Sequence, residues 1–329
     1  MLSAPSSSPR LLSKNRTTVR SRSKLRLARV ALQTAYLVSE DFGAGLAERL
    51  FTSPRRFPRP PREQAVLAAG RPFRLDATLR APRWGGQPRR IAAWRWGQGP
   101  AVLLVHGWEG RGAQLGAFVE PLVAAGLSVV AFDAPGHGDS AGHRAYLPDF
   151  ADALVAVAAA AGPVHATISH SFGAAAVLLA HGRGGLDASR NVMIAPNALI
   201  HDSVQRFARE LSLDEADRAG FAARLEARTG IPLAALAIEP LAAARDAALL
   251  IVHDREDREV PLAHGEALAA VWPGARLEVT SDLGHRRILR DPGVIARAVA
   301  LVASGAPAPA SDLVREVDRQ LAIPPAAAE

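Results

Sequence analysis

The sequence predicts an α/β fold, in which a mostly parallel central sheet carries helices on both faces and is interrupted by an inserted group of helices. Six short apolar runs recur between residues 101 and 280. Segments with apolar residues at helical spacing follow most of these runs. Buried strands that alternate with helices are typical of a parallel sheet covered on both faces. One interval, 196–245, is too long for a simple crossover, which predicts the insertion.

The individual elements follow from the same patterns. The predicted strands cover residues 101–105, 127–132, 164–169, 191–195, 248–252 and 276–280. The predicted helices cover residues 114–125, 147–161, 172–182, 263–271 and 292–303. Before them, 72–79 and 89–96 alternate apolar and polar residues, as an antiparallel pair does. We therefore expect a core in two parts, 65–195 and 246–305, with a helical cap at 196–245 and a tail or helix at 306–329.

The residues before the core divide into three segments. Residues 1–24 are rich in Ser and Arg, which favours a disordered tail, with a transit peptide as the alternative. Residues 25–52 have apolar positions at helical spacing, and 53–64 is interpreted as a proline-rich linker. The helical positions are Leu27, Val30, Ala31, Tyr36 and Leu37. The helix is too short to span a bilayer. We expect it to pack on the main domain, with weak contact with a membrane surface as the alternative.

The charge of the chain is unevenly placed. Residues 1–100 carry 20 Lys and Arg against 5 Asp and Glu, although the whole chain has a formal net charge of only +7. The region after residue 100 is therefore acidic. No aromatic residues interleave with the basic ones in a nucleic-acid-binding pattern, so we expect no nucleic-acid partner. As for localisation, we expect a cytoplasmic, bacterial protein, with peripheral membrane association as the alternative.

The composition also restricts the chemistry. The chain contains no Cys, which excludes disulfides, thiol nucleophiles and cysteine metal sites. It contains no H-E-x-x-H spacing, P-loop or dinucleotide fingerprint. We therefore predict neither a metal nor a cofactor.

Polar residues follow the predicted strands at the positions where ligands bind in a parallel sheet, beyond the carboxyl ends. These clusters contain Ser, His and carboxylate side chains, in the chain order Ser, Asp, His. They are His106–Gly110, Asp133–Ser140, Ser169–Gly173, His253–Pro261 and Ser281–His285.

Five motifs at these positions resemble those of the α/β-hydrolase superfamily, and in particular its serine esterase and lipase-like members with a small helical cap. They are "LLVHGWEG", "VVAFDAPGHGDS", "SHSFGA", "DREDREVP" and "LGH". The resemblance covers residues 72–305 and implies the α/β-hydrolase fold. The nucleophile elbow of the family is G-x-S-x-G. In this chain Ser169 replaces the first Gly and Gly173 keeps the second, and both are expected to support the elbow.

The resemblance implies roles for individual residues. Ser171 corresponds to the nucleophile and His285 to its general base. The family's acid lies three residues before a Val-Pro pair, which gives Asp257. Asp254 and Glu256 in the same loop are alternatives, and Asp202 is a more distant one.

The oxyanion is expected to bind the backbone N–H groups of Trp108 and Phe172. His106 and Gly107 are expected to support the loop that carries Trp108. Arg111 lies at the predicted mouth of the site, where it either attracts an anionic substrate or is solvated.

These residues predict hydrolysis of a small carboxylic ester through an acyl-enzyme. A thioesterase or acyltransferase on the same residues is the alternative within the class. A non-catalytic binding protein with this fold is the alternative from another class. The cap is expected to set the specificity, and neither the natural substrate nor the oligomeric state follows from the sequence.

Overall fold

The computed structural model describes residues 25–242 and 247–304. The chain divides into two compact units. The smaller consists of the described part of Met1–Thr52 together with His201–Arg228, and the larger of Ser53–Ile200 with the described part of Thr229–Glu329. The predicted tail at 1–24 and the predicted tail or helix at 306–329 lie outside the described residues.

The larger unit contains a sheet that has eight strands among the described residues, in the order β1-β2-β4-β3-β5-β6-β7-β8. The strands are β1 (Arg71–Thr78), β2 (Pro88–Trp96), β3 (Ala101–Val105), β4 (Ser128–Asp133), β5 (Val164–His170), β6 (Arg190–Ile194), β7 (Ala248–Asp254) and β8 (Arg276–Thr280). Strand β2 pairs antiparallel with both β1 and β4, and the other pairs are parallel. All the predicted strands are present with bounds shifted by at most two residues, and the predicted fold class is confirmed.

The larger unit also contains most of the helices. They are α3 (Pro61–Ala68), α4 (Val119–Ala124), α5 (Leu147–Ala161), α6 (Phe172–Gly182), α9 (Ile238–Ala242), α10 (Ala263–Val271), α11 (Gly284–Arg287) and α12 (Pro292–Ala303), with 3₁₀ helices at Pro82–Trp84, Gly112–Phe118, Leu233–Leu236 and Ile288–Arg290. The helix predicted at 114–125 is therefore a 3₁₀ helix followed by the short α4. Its first residue, Gly112, packs closely on β4, where a Cβ would lie 2.9 Å from the carbonyl oxygen of Phe132.

Two hydrophobic cores form, one on each face of the sheet. Strand β3 is buried throughout and contributes alternate residues to them, because successive side chains of a strand point to opposite faces. Leu103 belongs to the core that includes α5, α6 and α10, whereas Leu104 belongs to the core that includes α4 and α12. This double burial explains why the central strands are continuous apolar runs.

Among its described residues the smaller unit contains α1 (residues 25–38), α2 (Glu40–Thr52) and all but one end residue of each of α7 (Ile200–Glu210) and α8 (Glu215–Thr229). The ring of Phe51 on α2 packs edge-on against Phe207 and Phe221, with centroids 4.9 and 5.6 Å apart. The buried carboxylate of Glu48 pairs with Arg224 at 2.6 Å. The sequence patterns place 25–52 and 196–245 in separate segments. Contacts across more than 150 residues group the helices of 25–52 with residues 201–228, and local spacing does not reveal such contacts. The described residues of the predicted cap outside 201–228 belong to the larger unit.

The predicted linker at 53–64 is also different in the structure. Helix α3 begins at Pro61, within that range, with Pro60 as the residue before its first turn. Proline is favoured at the first helical position, which Pro61 occupies, because its fixed φ suits the helix. The N–H that proline lacks would have no partner within the helix at this position. From composition alone, these prolines indicate only a linker. Residues 53–60 are not helical and make specific contacts with the loops of the candidate site.

Among the described helices, none is long and apolar enough to cross a membrane.

The start of α5 contains a buried carboxylate with a shifted pKa. Asp149 accepts hydrogen bonds from the backbone N–H of Tyr146 at 2.9 Å and from the indole N–H of Trp84 at 3.0 Å. Its side chain is fully buried. Burial raises the pKa of Asp149 to about 7, although both hydrogen bonds oppose this shift. The folded protein therefore binds a proton at Asp149 more tightly than the unfolded chain, whose Asp pKa is about 3.9.

We predict that Asp149 makes the protein less stable as the pH rises through about 7. Stability from a raised carboxyl pKa is complete below the unfolded pKa and is lost as pH rises to the folded pKa, by at most about 1.4 kcal/mol per pH unit. Thermal unfolding between about pH 5 and pH 8 should therefore show a weaker pH dependence in Asp149→Asn than in the wild type. The exposed Asp76→Asn is the control and should keep the wild-type dependence. Equal slopes in all three proteins would contradict the assignment.

Candidate active site

Ser171 occupies a sharp turn between β5 and α6, with φ 53° and ψ −120°. Residues with a Cβ rarely adopt this conformation. Three backbone hydrogen bonds of 3.0 Å hold it: the N–H donates to the Ile194 carbonyl, and the carbonyl accepts from the N–H groups of Ala174 and Asn197. The neighbouring strand and loop thus fix the predicted nucleophile in a strained turn at the carboxyl edge of the sheet.

Small residues surround this turn because the backbones approach closely. At Gly173, a Cβ would lie 2.5 Å from the carbonyl oxygens of Val105 and His106. At Gly107, a Cβ would lie 3.0 Å from the Cβ of Ser171. Ser169 stands where the family pattern has Gly, and its buried hydroxyl donates to the Val192 carbonyl at 3.3 Å. The strand therefore accommodates Ser at this position without leaving a buried polar atom unpaired.

His285 and Asp257 form a buried pair. The imidazole Nδ1 lies 2.6 Å from Oδ2 of the carboxylate, while Oδ1 accepts the N–H groups of Glu259 and Val260 at 2.8 and 2.9 Å. Burial alone would raise the pKa of Asp257. Interactions with His253, with His285 and with the Val260 N–H outweigh burial and lower this pKa below its ordinary range. The carboxylate is therefore ionised at neutral pH, facing His285.

The other candidate acids do not contact His285. Asp254 accepts hydrogen bonds from Thr280 Oγ1 at 2.8 Å and from Leu283 N at 3.0 Å, so it ties together the ends of β7 and β8. Glu256 accepts the N–H of Asp282 at 2.9 Å. Asp202 is an exposed residue of α7, in the smaller unit. Among the candidate carboxylates of the described chain, only Asp257 bonds to His285.

His170 links Ser171 to His285. Its ring centroid lies 4.6 Å from that of His285, and its Nε2 donates to the His285 carbonyl at 2.9 Å. Burial, followed by the proximity of His285, lowers the pKa of His170 to about 3, so this ring is neutral at neutral pH. Among the described contacts, no hydrogen bond joins the Ser171 hydroxyl to His285.

The backbone N–H groups of Trp108 and Phe172 are available to a ligand, since neither donates to an acceptor among the described residues. Phe172 is the first residue of α6, where the N–H has no partner within the helix. Trp108 lies in a turn closed by a 3.0 Å bond from Gly110 N to the Gly107 carbonyl. The rings of Trp108 and Phe172 pack edge-on, with centroids 5.5 Å apart.

Two buried histidines hold the loops that follow β3 and β4. His106 lies 2.7 Å from the Gly107 carbonyl through Nδ1, and its Nε2 accepts the N–H of Ala134 at 2.9 Å. His137 accepts the N–H of Glu109 at 3.1 Å. Burial is the main cause that lowers the pKa of His106 to about 4 and that of His137 to about 3. Both rings are thus neutral at neutral pH and bind main-chain groups.

Residues 53–60, which we call the arginine segment, hold the same two loops from the other side. Arg55 donates from Nε and Nη2 to both carboxylate oxygens of Glu109, at 2.7 Å each. Arg56 donates to the carbonyls of Gly136, Ser140 and Gly142, at 3.2, 2.8 and 2.9 Å.

Arg59 completes the contacts of the arginine segment, because it pairs with Asp133 at 3.0 Å and Asp139 at 2.9 Å. This role is not among the sequence-based predictions. The sequence shows a run of arginines within the proline-rich stretch, but nothing in this run identifies the carboxylates with which they pair.

Arg111 is neither solvated nor free to attract a substrate. Its side chain is buried, pairs with Glu63 of α3 and donates to the carbonyls of Phe57 and Pro58 at 3.1 and 3.3 Å. A cavity of about 180 Å³ lies between the arginine segment and the loops that follow β3 and β4. Its lining does not include Ser171, Asp257 or His285.

His253 is a second residue whose role was not predicted from the sequence. It is fully buried at the end of β7, its Nε2 lies 3.6 Å from Oδ2 of Asp257, and the same nitrogen lies 3.0 Å from the Val260 carbonyl. It therefore lies close to the same carboxylate oxygen of Asp257 that bonds to His285. Its position at a strand end, four residues before Asp257, was the available signal.

We predict that Ser171→Gly is more stable than Ser171→Ala. Both variants lose the hydroxyl, but only Gly relieves the conformation at φ 53°, which costs about 1–3 kcal/mol in a residue with a Cβ. Glycine also makes the unfolded chain more flexible, which offsets part of this relief. The free energy of unfolding of Ser171→Gly should therefore exceed that of Ser171→Ala by about 1 kcal/mol, measured by denaturant unfolding. Ser169, in the regular strand β5, is the control: there the Gly variant should be less stable than the Ala variant. The same sign at both positions would contradict the strain.

Comparisons with known proteins identify the family of the chain. The model of the alpha/beta hydrolase family matches residues 102–298. No curated protein matches the chain.

Several solved structures share the fold at low sequence identity. An esterase from Pyrococcus furiosus is 17% identical, with a TM-score of 0.56 over 76% of this chain and 97% of the esterase. Est1E from Butyrivibrio proteoclasticus, solved with ferulic acid bound, is 18% identical, with a TM-score of 0.54 over 66% of this chain and 97% of its own. A bromoperoxidase from Bacillus anthracis is 17% identical, with a TM-score of 0.51 over 70% of this chain and 99% of its own. With more than half of its residues matched by the family model, the chain belongs to the α/β-hydrolase family.

Proposed function

We propose that the protein is a serine hydrolase that cleaves a carboxylic ester through an acyl-enzyme. The observation that carries the proposal is the buried Asp257–His285 pair, at the same sheet edge as the strained turn of Ser171. A serine hydroxyl is a weak nucleophile at neutral pH and needs an adjacent base. An imidazole that is bonded to an ionised carboxylate on one nitrogen, and has its other nitrogen available, is such a base.

In the proposed reaction, Nε2 of His285 takes the proton of the Ser171 hydroxyl as Oγ attacks the ester carbonyl carbon. Asp257 holds the Nδ1 proton of the imidazole and stabilises the imidazolium that forms. The imidazolium then protonates the leaving alkoxide, which departs as the alcohol and leaves the acyl group on Ser171. Water, deprotonated by the same imidazole, releases the acid and restores the serine.

The backbone N–H groups of Trp108 and Phe172 are the proposed oxyanion donors. Their lack of acceptors among the described residues supports this role, as does the edge-on packing of the two side chains. Preorganised donors of this kind contribute about 10²–10³ in rate each. Because both donors belong to the main chain, side-chain substitution does not remove them.

The alternatives differ in the fate of the acyl group or in whether acylation occurs. A thioesterase would use the same residues on a thioester, and an acyltransferase would pass the acyl group to an alcohol or thiol instead of water. The bromoperoxidase shares the fold with the two esterases, so the fold alone does not select a reaction. A non-catalytic binding protein has no need of an ionised, buried Asp257 beside His285, which favours the enzyme.

We predict that a fluorophosphonate probe labels the wild-type protein on Ser171. Ser171→Ala should abolish labelling, and His285→Ala should slow it by at least about 100-fold, because the base is lost. Labelling is followed by gel fluorescence and located by peptide mass spectrometry. Ser169→Ala is the matched control and should still be labelled.

Two outcomes would overturn parts of this proposal. Labelling that persists in Ser171→Ala would place the nucleophile elsewhere. A wild-type protein that is neither labelled nor active on short acyl esters would favour the binding-protein alternative.

We predict that Asp257→Asn lowers kcat on a short acyl ester by about 10³–10⁴, because an Asn amide facing Nδ1 favours the wrong imidazole tautomer. Asp254→Asn should have a small effect on kcat but lower the melting temperature. The hydroxyl of Thr280 and the N–H of Leu283 both donate to Oδ2 of Asp254, where the variant can place an amide NH₂ group that does not accept them. Kinetics and thermal unfolding of both variants test this. Equal, small effects on kcat would remove Asp257 from the proposed triad.

A further inference from the structure

The outward face of α1 is apolar. Leu27, Val30, Leu37 and Val38 are 72%, 59%, 88% and 70% exposed. Successive residues turn by about 100° around a helix, so these four side chains lie within about 100° of its circumference. They make up half of the large hydrophobic residues that are exposed among the described residues.

The remaining residues of this face do not make it polar. Ala31 and Thr34 are exposed between them, and the Thr34 hydroxyl donates to the Val30 carbonyl at 2.9 Å, so its polar atom is satisfied within the helix. We call these residues the apolar stripe. It comprises Leu27, Val30, Ala31, Thr34, Leu37 and Val38.

The apolar stripe is not the packing face of α1. Leu32 and Ala35, on the other side of the helix, are buried. Of the five apolar positions at helical spacing in the sequence, Leu27, Val30, Ala31 and Leu37 are exposed and Tyr36 is partly buried. A surface helix of a soluble protein ordinarily places polar residues outward. A contiguous exposed apolar patch marks an interaction surface.

The sequence before and within α1 is cationic, whereas the acidic Glu40 and Asp41 begin the next helix. The first 39 residues contain eight Lys and Arg and no Asp or Glu, and two of these cations, Arg26 and Arg29, lie on α1 itself. Anionic lipid headgroups attract such a segment. A second copy of the chain would bring the same positive charge against it, which opposes self-association through this face. Nucleic acid would neutralise the charge but leave the apolar side chains in water.

We propose that the apolar stripe is a docking surface for an anionic lipid bilayer. The helix lies in the plane of the headgroups, with the stripe turned towards the acyl chains and Arg26, on the same helix, at the phosphates. The helix rests on the bilayer and does not cross it, in agreement with its length. This surface is independent of the proposed catalytic residues.

The test is cosedimentation of the full chain with lipid vesicles. We expect the wild type to bind vesicles that contain phosphatidylglycerol with phosphatidylcholine at low salt, and to bind much less to pure phosphatidylcholine or at high salt. Leu27→Gln with Leu37→Gln and Val38→Gln should lower partitioning at least about tenfold, because three exposed apolar side chains no longer leave water. Val279→Gln replaces an exposed apolar residue of β8 and should bind like the wild type.

Two results of the cosedimentation would overturn the proposal. One is a wild-type protein that binds neither kind of vesicle, and the other is a triple variant that binds vesicles as well as the wild type does. A change from dimer to monomer in the triple variant, measured by light scattering without lipid, would make the stripe an interface between copies.

Circular dichroism shows whether the triple variant folds. If it does not fold, the proposal is tested by the wild type alone, through the dependence of its vesicle binding on phosphatidylglycerol and on salt. Fluorophosphonate labelling of the same proteins follows Ser171 separately. Loss of vesicle binding is thereby distinguished from failure of the proposed catalysis.

Discussion

The turn at Ser171 is the constraint on which the rest of the site depends. A residue with a Cβ is held at φ 53° and ψ −120° by bonds to Ile194, Ala174 and Asn197. This conformation is possible only because Gly107 and Gly173 allow the neighbouring backbones to approach. The strain is kept because strand pairing and helix packing on both sides determine the turn completely. The same close approach brings the loop of Trp108 beside the turn.

That loop is itself held by charged groups from a segment far away in the chain. The guanidinium of Arg55 donates to the carboxylate of Glu109, which follows Trp108 and has φ 54°. Arg59 pairs with Asp133 at the end of β4. Oδ1 of Asp133 accepts the N–H of Gly112 at 2.8 Å, so the carboxylate joins both loops to the arginine segment. These bonds orient the main chain at Trp108, where the proposed oxyanion donor is a backbone group and its position depends on how the loop is held.

The sequence predicts what depends on local pattern. The apolar runs locate the strands, and the residues after them locate Ser171, Asp257 and His285 at one edge. The spacing to Val260 has a physical basis, because the N–H of Val260 bonds to Asp257. Long-range packing is not predictable in this way. The pairing of Phe51 with Phe207 and the contacts of the arginine segment involve residues with no local signature of their partners. Helical spacing located the apolar positions of α1 but did not indicate that most of them are exposed.

The electrostatics of the edge explain why one imidazole of several is suited to act as the base. His106, His137 and His170 are buried and bind main-chain groups, and burial lowers the pKa of each well below neutrality. His285 instead bonds through Nδ1 to the ionised carboxylate of Asp257. Among these four rings of the described chain, His285 alone bonds to a carboxylate, which is the arrangement that the proposed base requires. The neutral rings keep the loops in place without placing a competing positive charge beside His285.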